Sequence, residues 1–333
     1  MHVPDGFYST GLCLALDAAC LGVLAYCIKK VWGKLNHKTI LLAASVGAFV
    51  FALEMAKIPV TKGSSCHLMG GVFASITLGP FLATIVVTLM HLVQFLIFQD
   101  GGLLALGPNL LTIAIVSTLL GYYLYRTFKS MVIESYGTYV GAFISAWLTL
   151  LITSITVSVL LAISGVDSLL VLIGPMVGPH AMIGVIEGAM TVALLGSMAK
   201  ICPGSLNLLN KGSAGLPIIP PKKRCKRIWF FLLVLALLTG VLVSPFASRR
   251  PEGLEKLALD GELLKGHEIF YYSAPLAGYE LPVISNARLS KGLAGLLGVL
   301  ATFAICWCAG MVLADKREIS KDARLERSLT IDK

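Results

Sequence analysis

The sequence predicts an all-α, polytopic membrane protein: a seven-helix bundle, then two additional transmembrane helices joined by an extracytoplasmic loop. Three observations carry that expectation. Apolar residues make up 56% of the 333-residue chain and charged residues only 14%, against roughly 25% charged in a soluble domain. The mean hydropathy is +0.84. The apolar residues also gather into long runs, not the short alternating segments of a barrel, and lipid requires each spanning helix to satisfy its own backbone polar groups. A soluble enzyme and a disordered chain are excluded on the same grounds.

Nine apolar runs stand out, at 9–28, 39–56, 67–79, 80–98, 103–125, 138–164, 168–199, 228–246 and 292–314. A span needs about 20 residues to cross a hydrocarbon core of roughly 30 Å. The run 67–79 falls short, reaching about 20 Å as a helix. Gly79-Pro80 closes it with a helix stop and a helix start. Basic residues set the orientation. With the N-terminus outside, Lys29, Lys30, Lys34 and Lys38 fall inside, as do Arg126 and Lys129, the cluster from Lys200 to Arg227 and the tail from Lys316. The net charge of +9 is then a topology signal, and a nucleic-acid partner is not needed to explain it. The start, Met-His-Val-Pro-Asp-Gly, lacks the basic region and cleavage site of a signal peptide. A retained, outward-facing Met1 is therefore expected in a multi-pass protein of the cell (inner) membrane with a cytoplasmic C-terminus.

Composition shifts at 201–226, which is rich in Pro and Gly and carries Lys222-Lys223-Arg224. That reads as a cytoplasmic linker. It separates a transmembrane domain at 1–200 from a two-span module at 227–314, whose outer loop is 247–291. A charged cytoplasmic tail, expected to be a short helix, occupies 315–333. The eight cysteines fall mostly inside spans and offer no disulfide framework. Cys13, Cys20 and Cys27 repeat every seven residues as a packing stripe. No phosphate loop of the Gly-x-x-x-x-Gly-Lys type occurs, and His267-Glu268 lacks the second His of a zinc protease.

Two of the six histidines carry the chemistry. His2 follows directly on the chain's α-amine, so amine, amide and imidazole offer three nitrogens in a nearly planar chelate. Such a set suits Ni²⁺ or Cu²⁺. His67 is the candidate fourth nitrogen. It follows Gly63-Ser64-Ser65-Cys66 at the outer start of the short run, where irregular backbone at membrane depth is tolerated only if it lines a cavity or is buried. On spacing alone the bland alternatives stay open: a chance Met-His start, and a His that merely hydrogen-bonds at a helix start. Cys66, beside His67, is the one thiol placed to compete as a ligand.

Several motifs recur in order over about 1–200 and resemble the CbiM/NikM family, the substrate-binding components of energy-coupling-factor cobalt and nickel importers. They are Met-His-Val-Pro-Asp-Gly-Phe at 1–7, Ser65-Cys66-His67-Leu68-Met69-Gly70-Gly71, Asp100-Gly101-Gly102-Leu103, Ala105-Leu106-Gly107-Pro108-Asn109, and His180 to Gly184 with Glu187-Gly188. Pro251-Glu252-Gly253-Leu254-Glu255 resembles the Pro-Asp-Gly-Leu-Glu motif of the two-span NikN-type subunit, so the chain looks like a fusion of the two. Pro108, Thr112, Glu54 and Ile186 depart from the family pattern. The resemblance implies a metal held by the Met1 amine, the His2 amide and imidazole, and the His67 imidazole. It implies capture of Ni²⁺ or Co²⁺ as transported substrate, with no permanent cofactor and no enzyme activity. The implied partners are a coupling membrane subunit of the CbiQ/NikQ type and ATPases of the CbiO/NikO type. The 247–291 loop would help load or gate the site.

The remaining candidates support that centre. Asp5 is expected to fix the N-terminal turn and Asn109 to hydrogen-bond the binding segment. His180 and Glu187, seven apart on one helix face, are expected in supporting roles. Read alone, they also admit an intramembrane hydrolase. Gly11, Ala15 and Ala19 form a small-residue ridge suited either to docking the coupling subunit or to internal packing. Cobalt uptake for corrinoid synthesis is the alternative to nickel import.

Overall fold

The computed structural model describes residues 2–61, 64–203, 227–248, 250–252, 254 and 274–314. Met1, most of the linker, the greater part of the outer loop and the tail lie outside the described residues, and with them the expectations of a retained Met1 and a helical tail. Among the described residues nine main helices form: α1 (Thr10–Val31), α2 (His37–Met55), α3 (Gly71–Leu78), α4 (Pro80–Phe98), α5 (Leu106–Ser130), α6 (Glu134–Ile163), α7 (Leu169–Ile201), α8 (Arg227–Phe246) and α9 (Ala287–Leu313). All but α3 are long and apolar enough to cross a membrane. The chain is a polytopic, essentially all-α membrane protein, as its hydropathy requires.

Local chemistry explains the helix ends. The Asn36 side chain accepts from the Thr39 N–H at 2.8 Å and opens α2. Asn286 accepts from the Arg288 and Leu289 N–H groups and opens α9. Pro80 starts α4 directly after Gly79. Lys29 and Lys30 close α1, where cations offset the helix dipole. Within α5, π-helical turns run from Leu110 to Leu120. They follow Pro108, which lacks an N–H donor. The Thr112, Ser117 and Thr118 hydroxyls bond back to carbonyls of the same helix, an arrangement that loosens an α ladder.

Helix α2 is the axis of the molecule, buried almost throughout from Thr39 to Met55 and enclosed by α4, α8 and α9. α6 and α7 pack as a pair, with α6 leaning on α5. α1 rests on α4 and α5 through its inward Cys13, Cys20 and Cys27, which act as the expected packing stripe. Cys202, at the end of α7, is disulfide-bonded, contrary to the sequence reading.

The segment before α3 departs from expectation. It is a β-hairpin instead of an irregular loop: β1 (Ile58–Thr61) pairs antiparallel with β2 (Ser64–Cys66). Ile58, Val60 and Thr61 are β-branched and favour a strand. A third segment from far along the chain joins them. The Ser65 N–H donates to the Pro251 carbonyl at 2.9 Å, the Ser65 hydroxyl donates to the Arg250 carbonyl at 2.7 Å, and Ser65 bridges Glu252. Because strand and extended chain occupy 64–70, α3 is only 8 residues long, about 12 Å. It starts after Gly70, whose φ of +66° and 3.0 Å clearance to Val50 would strain any side chain there.

This hairpin, the N-terminal segment, the loop 99–105 and the second module's residues 248, 250–252 and 274–281 meet at one end of the bundle. At the opposite end the Gly33 N–H donates to the Leu313 carbonyl at 2.8 Å, and Leu35 bridges Ala314.

Candidate metal centre

Residues 2–8 are drawn into the end of the bundle, with Val3, Asp5, Phe7 and Tyr8 buried. Asn109 holds them as a strand would. Its Oδ1 accepts from the Val3 N–H at 3.0 Å, and its Nδ2 donates to the Val3 carbonyl at 2.9 Å. The Gly102 N–H donates to the same carbonyl at 3.1 Å. Asp5 accepts from the Leu103 and Ala105 N–H groups, each at 2.9 Å. A Cβ on Gly102 would stand 2.1 Å from Asp5 Oδ1, so the Asp-Gly-Gly-Leu motif is a receptacle shaped for the N-terminal segment. Asp17 supports the receptacle from α1 by accepting from the Gly107 N–H at 2.6 Å.

Hydrogen bonds fix which imidazole nitrogens are available. Gln94 Nε2 donates to Glu54 Oε2 at 2.9 Å, so its Oε1 faces His2 and accepts from His2 Nε2 at 3.1 Å. That tautomer leaves His2 Nδ1 with its lone pair. Nδ1 has no hydrogen-bond partner and lies 3.3 Å from Asp100 Oδ1. His67 has the complementary arrangement. Its Nδ1 donates to the Leu68 carbonyl at 3.2 Å, which leaves Nε2 the acceptor, 3.8 Å from Glu252 Oε2. The two rings stack with centroids 5.3 Å apart. Two imidazoles, one from the N-terminal segment and one from the chain just after β2, thus meet in one buried space. Partners that orient a ligating His in this way are typical of metal sites.

Burial lowers the His2 pKa and brings that of His67 down to about 3. Both rings are neutral at neutral pH, the form that binds metal. Burial pushes the Cys66 thiol up to about 11, so it is a poor rival ligand. Its sulfur instead lies 4.0 Å from His180 Nε2. Burial alone would raise Asp100 and Glu252, but it is outweighed by His2 and then Lys57 at Asp100, and by the chain's α-amine, His67 and then Lys57 at Glu252, so both stay below their ordinary range. Among the described residues no three His, Cys, Asp or Glu side chains are grouped to hold an ion. Met1, with its amine, lies outside the described residues.

Glu187 is committed to structure: its two oxygens accept from the Gly70 and Met69 N–H groups at 2.7 and 2.9 Å, anchoring the chain after His67 and the start of α3. His180 Nδ1 bonds the Met176 carbonyl on its own helix. The hydrolase alternative fails here, because neither group is presented to a substrate. Gly11, Ala15 and Ala19 lie on the exposed face of α1, away from the centre.

Sequence reasoning gave five residues near this site no role in it: it quoted Asp100 and Glu252 only within motifs, expected His91 to be dispensable for metal binding, and did not single out Gln94 or Tyr279. His91 stacks on His2 with centroids 4.9 Å apart, and Gln94 lies one turn on along α4. Their spacing of three places them on one helix face, and polar side chains within a span were the available signal. Asp100 Oδ2 accepts from the Tyr279 hydroxyl at 2.6 Å, and the Tyr279 ring stacks on Phe98. Glu252 pairs with Lys57 at 2.9 Å. Tyr279 and Glu252 come from the second module, which closes over a cavity of about 350 Å³ beside Asp100.

Comparison with known proteins agrees with this construction. The family model for the cobalt uptake substrate-specific transmembrane region, CbiM, matches residues 2–204, and the PDGLE domain matches 226–315. A protein of Haloquadratum walsbyi named for metal transport is 35% identical over 61% of this chain and 92% of its own length. An Archaeoglobus fulgidus protein named as a fused nickel transport protein, NikMN, is 32% identical over 62% of this chain and 72% of its own. A crystal structure described as a transition metal transporter is 29% identical with a TM-score of 0.54, covering 60% of this chain and 93% of that one. These relatives are transport proteins, not enzymes. On a match spanning more than half its length, this chain belongs to the CbiM family and is a component of a cobalt or nickel transporter.

Proposed function

We propose that this chain is the substrate-specific component of an energy-coupling-factor importer. It captures Ni²⁺, with Co²⁺ the alternative, from outside the inner membrane. The ion is held by the Met1 amine, the His2 amide nitrogen, His2 Nδ1 and His67 Nε2. The single observation that supports this best is the meeting of the two rings: the imidazoles of His2 and His67, 65 positions apart in the chain, stack with centroids 5.3 Å apart and side chains only 3% exposed. A flat N4 set favours Ni²⁺, and the resemblance to a protein named for nickel transport tilts the same way. The cobalt description of the family and of other relatives keeps Co²⁺ uptake as the second reading.

The proposed division is a metal-binding domain at 1–200, a linker at 201–226, a gating module at 227–314 and a tail at 315–333. The N-terminus faces outward, and the basic ends of α1, α5 and α7 face the cytoplasm. A coupling subunit of the CbiQ/NikQ type and ATPases of the CbiO/NikO type supply the energy. The exposed face of α1 supports docking: a Cβ on Gly11 or Gly22 would meet nothing within 4 Å, and small residues let helices approach closely. The test is titration of the purified chain with Ni²⁺ and Co²⁺. His67→Ala loses the ion while His37→Ala, remote from the centre, keeps it; retention by His67→Ala refutes the site.

A further inference from the structure

A cavity of about 640 Å³ lies between the two modules, where α7 ends and α8 begins. Lys200 and Ile201 line it from α7, and Arg227, Phe230, Phe231 and Val234 from α8. It is at the end of the bundle away from the metal centre. α8 runs 20 residues from Arg227 to Phe246, about 30 Å, and just beyond it the Ser248 N–H donates to the Lys57 carbonyl. α7 packs mainly on α6 and α8 mainly on α2, so the cavity is a seam between two packed pairs. Its two cations come from the helix ends, and its apolar wall continues into the span: Val234 is seven residues from Arg227, about 10 Å. Phe230 on that wall is 57% exposed, and the Trp229 ring stands edge-on to it, at the level where tryptophans mark the headgroup boundary. Among the described residues the side chains of Lys200 and Arg227 make no ion pair or hydrogen bond; the ion pairs there lie at the metal end. The linker sequence 204–226 holds five further basic residues, Lys211, Lys222, Lys223, Arg224 and Lys226, and no Asp or Glu. The tail 315–333 carries six basic residues to five acidic ones.

We infer that this seam holds one anionic phospholipid from the leaflet on that side, its phosphate between Lys200 and Arg227 and an acyl chain along Phe230, Phe231 and Val234. Orientation of the chain by its basic residues accounts for the cations, but not for an apolar wall that continues from them into the span. Basic pockets between transmembrane helices take anionic headgroups. The Arg227 fork can grip a phosphate with two hydrogen bonds, and both stems can lie along apolar surface while their heads reach it. A zwitterionic lipid brings its own cation and gains less. Inorganic phosphate leaves the apolar wall uncovered. The chain's own linker and tail bring excess positive charge and do not neutralise the pair. The inference is independent of the ion at the metal centre.

The experiment takes the full-length protein, delipidated in dodecyl maltoside, and adds phosphatidylglycerol, phosphatidylcholine or inorganic phosphate. Native mass spectrometry counts bound lipid, and melting curves give the apparent affinity. Wild type is expected to retain one phosphatidylglycerol and to melt at a higher temperature with it, and to respond to neither phosphatidylcholine nor phosphate. Lys200→Gln with Arg227→Gln should weaken phosphatidylglycerol binding by about fivefold for each cation removed, and Lys200→Arg with Arg227→Lys should keep it. Lys29→Gln with Lys34→Gln removes the same charge at the same end, on α1, and should leave the affinity unchanged. Three results overturn the inference. Wild type may show no response to phosphatidylglycerol, the outcome when a protein segment or a partner fills the seam. Phosphatidylcholine or phosphate may act as strongly. The α1 pair may weaken binding as much as the Lys200/Arg227 pair, which makes the effect one of surface charge alone.

Discussion

At the scale of single residues the centre is defined by protons as much as by nitrogens. Burial keeps His2 and His67 neutral, with His67 near 3. Two consequences follow in opposite parts of the pH scale. The unfolded chain takes up a proton on His67 near 6.5 that the fold refuses until about 3, so the metal-free protein loses stability as pH falls from 6.5 toward 3. Thermal melts in detergent should show this decline, and His67→Gln should flatten it. Above pH 6.5 the rings no longer titrate, and the protons still to be lost are those of the amine, ordinarily near 8, and the amide. Ni²⁺ affinity should therefore keep rising from pH 6.5 to 8, and acetylating the amine should abolish that rise. Residue type and spacing marked Met1, His2 and His67 as candidates while leaving bland alternatives open, and the resemblance favoured the metal reading; the structure brings the His2 and His67 rings together. Gln94 and His91 were not legible, because nothing in an apolar run tells which polar side chain will face a residue some 90 positions away.

At the scale of elements, the N-terminal segment behaves as an inserted ligand seated in a receptacle. Asn109→Ala would leave the buried Val3 N–H unmatched, a loss of about 1–3 kcal/mol, and should weaken Ni²⁺ binding tenfold or more without unfolding the bundle. Gly102→Ala should do the same by displacing Asp5, whose Oδ1 stands 2.1 Å from the added Cβ position. Isothermal titration, with melts as the folding control, checks both. The helices themselves were legible because each apolar run is long enough to demand burial in lipid, and the short 67–79 run was recognisable by its length. The hairpin was not. Ser65 is 185 positions from Arg250, whose carbonyl takes its hydroxyl proton, and no local pattern encodes a pairing that distant. On α1, bulky substitutions at Gly11 and Ala15 should leave metal binding intact and abolish copurification with the coupling subunit.

At the scale of the whole molecule, the second module completes the mouth of the first. Its Tyr279 hydroxyl bonds Asp100 beside His2, and its Glu252 reaches His67 and Lys57. Each of the two proposed ligand rings thus has a carboxylate nearby that the second module either supplies or holds. Removing 227–314 should leave the proposed ligands in place yet slow metal loading, and Tyr279→Phe with Glu252→Gln should reproduce part of that loss. Stopped-flow metal uptake by the purified protein measures it. The order of motifs made the fusion legible, but not where the second module's side chains fall.

Placing one extra residue between Met1 and His2, then titrating the purified chain with Ni²⁺, puts the account at most risk. Every helix and both imidazoles survive this change, while amine, amide and His2 ring no longer form adjoining chelate rings. Loss of binding with an unchanged melting profile is the predicted result; wild-type affinity would contradict it.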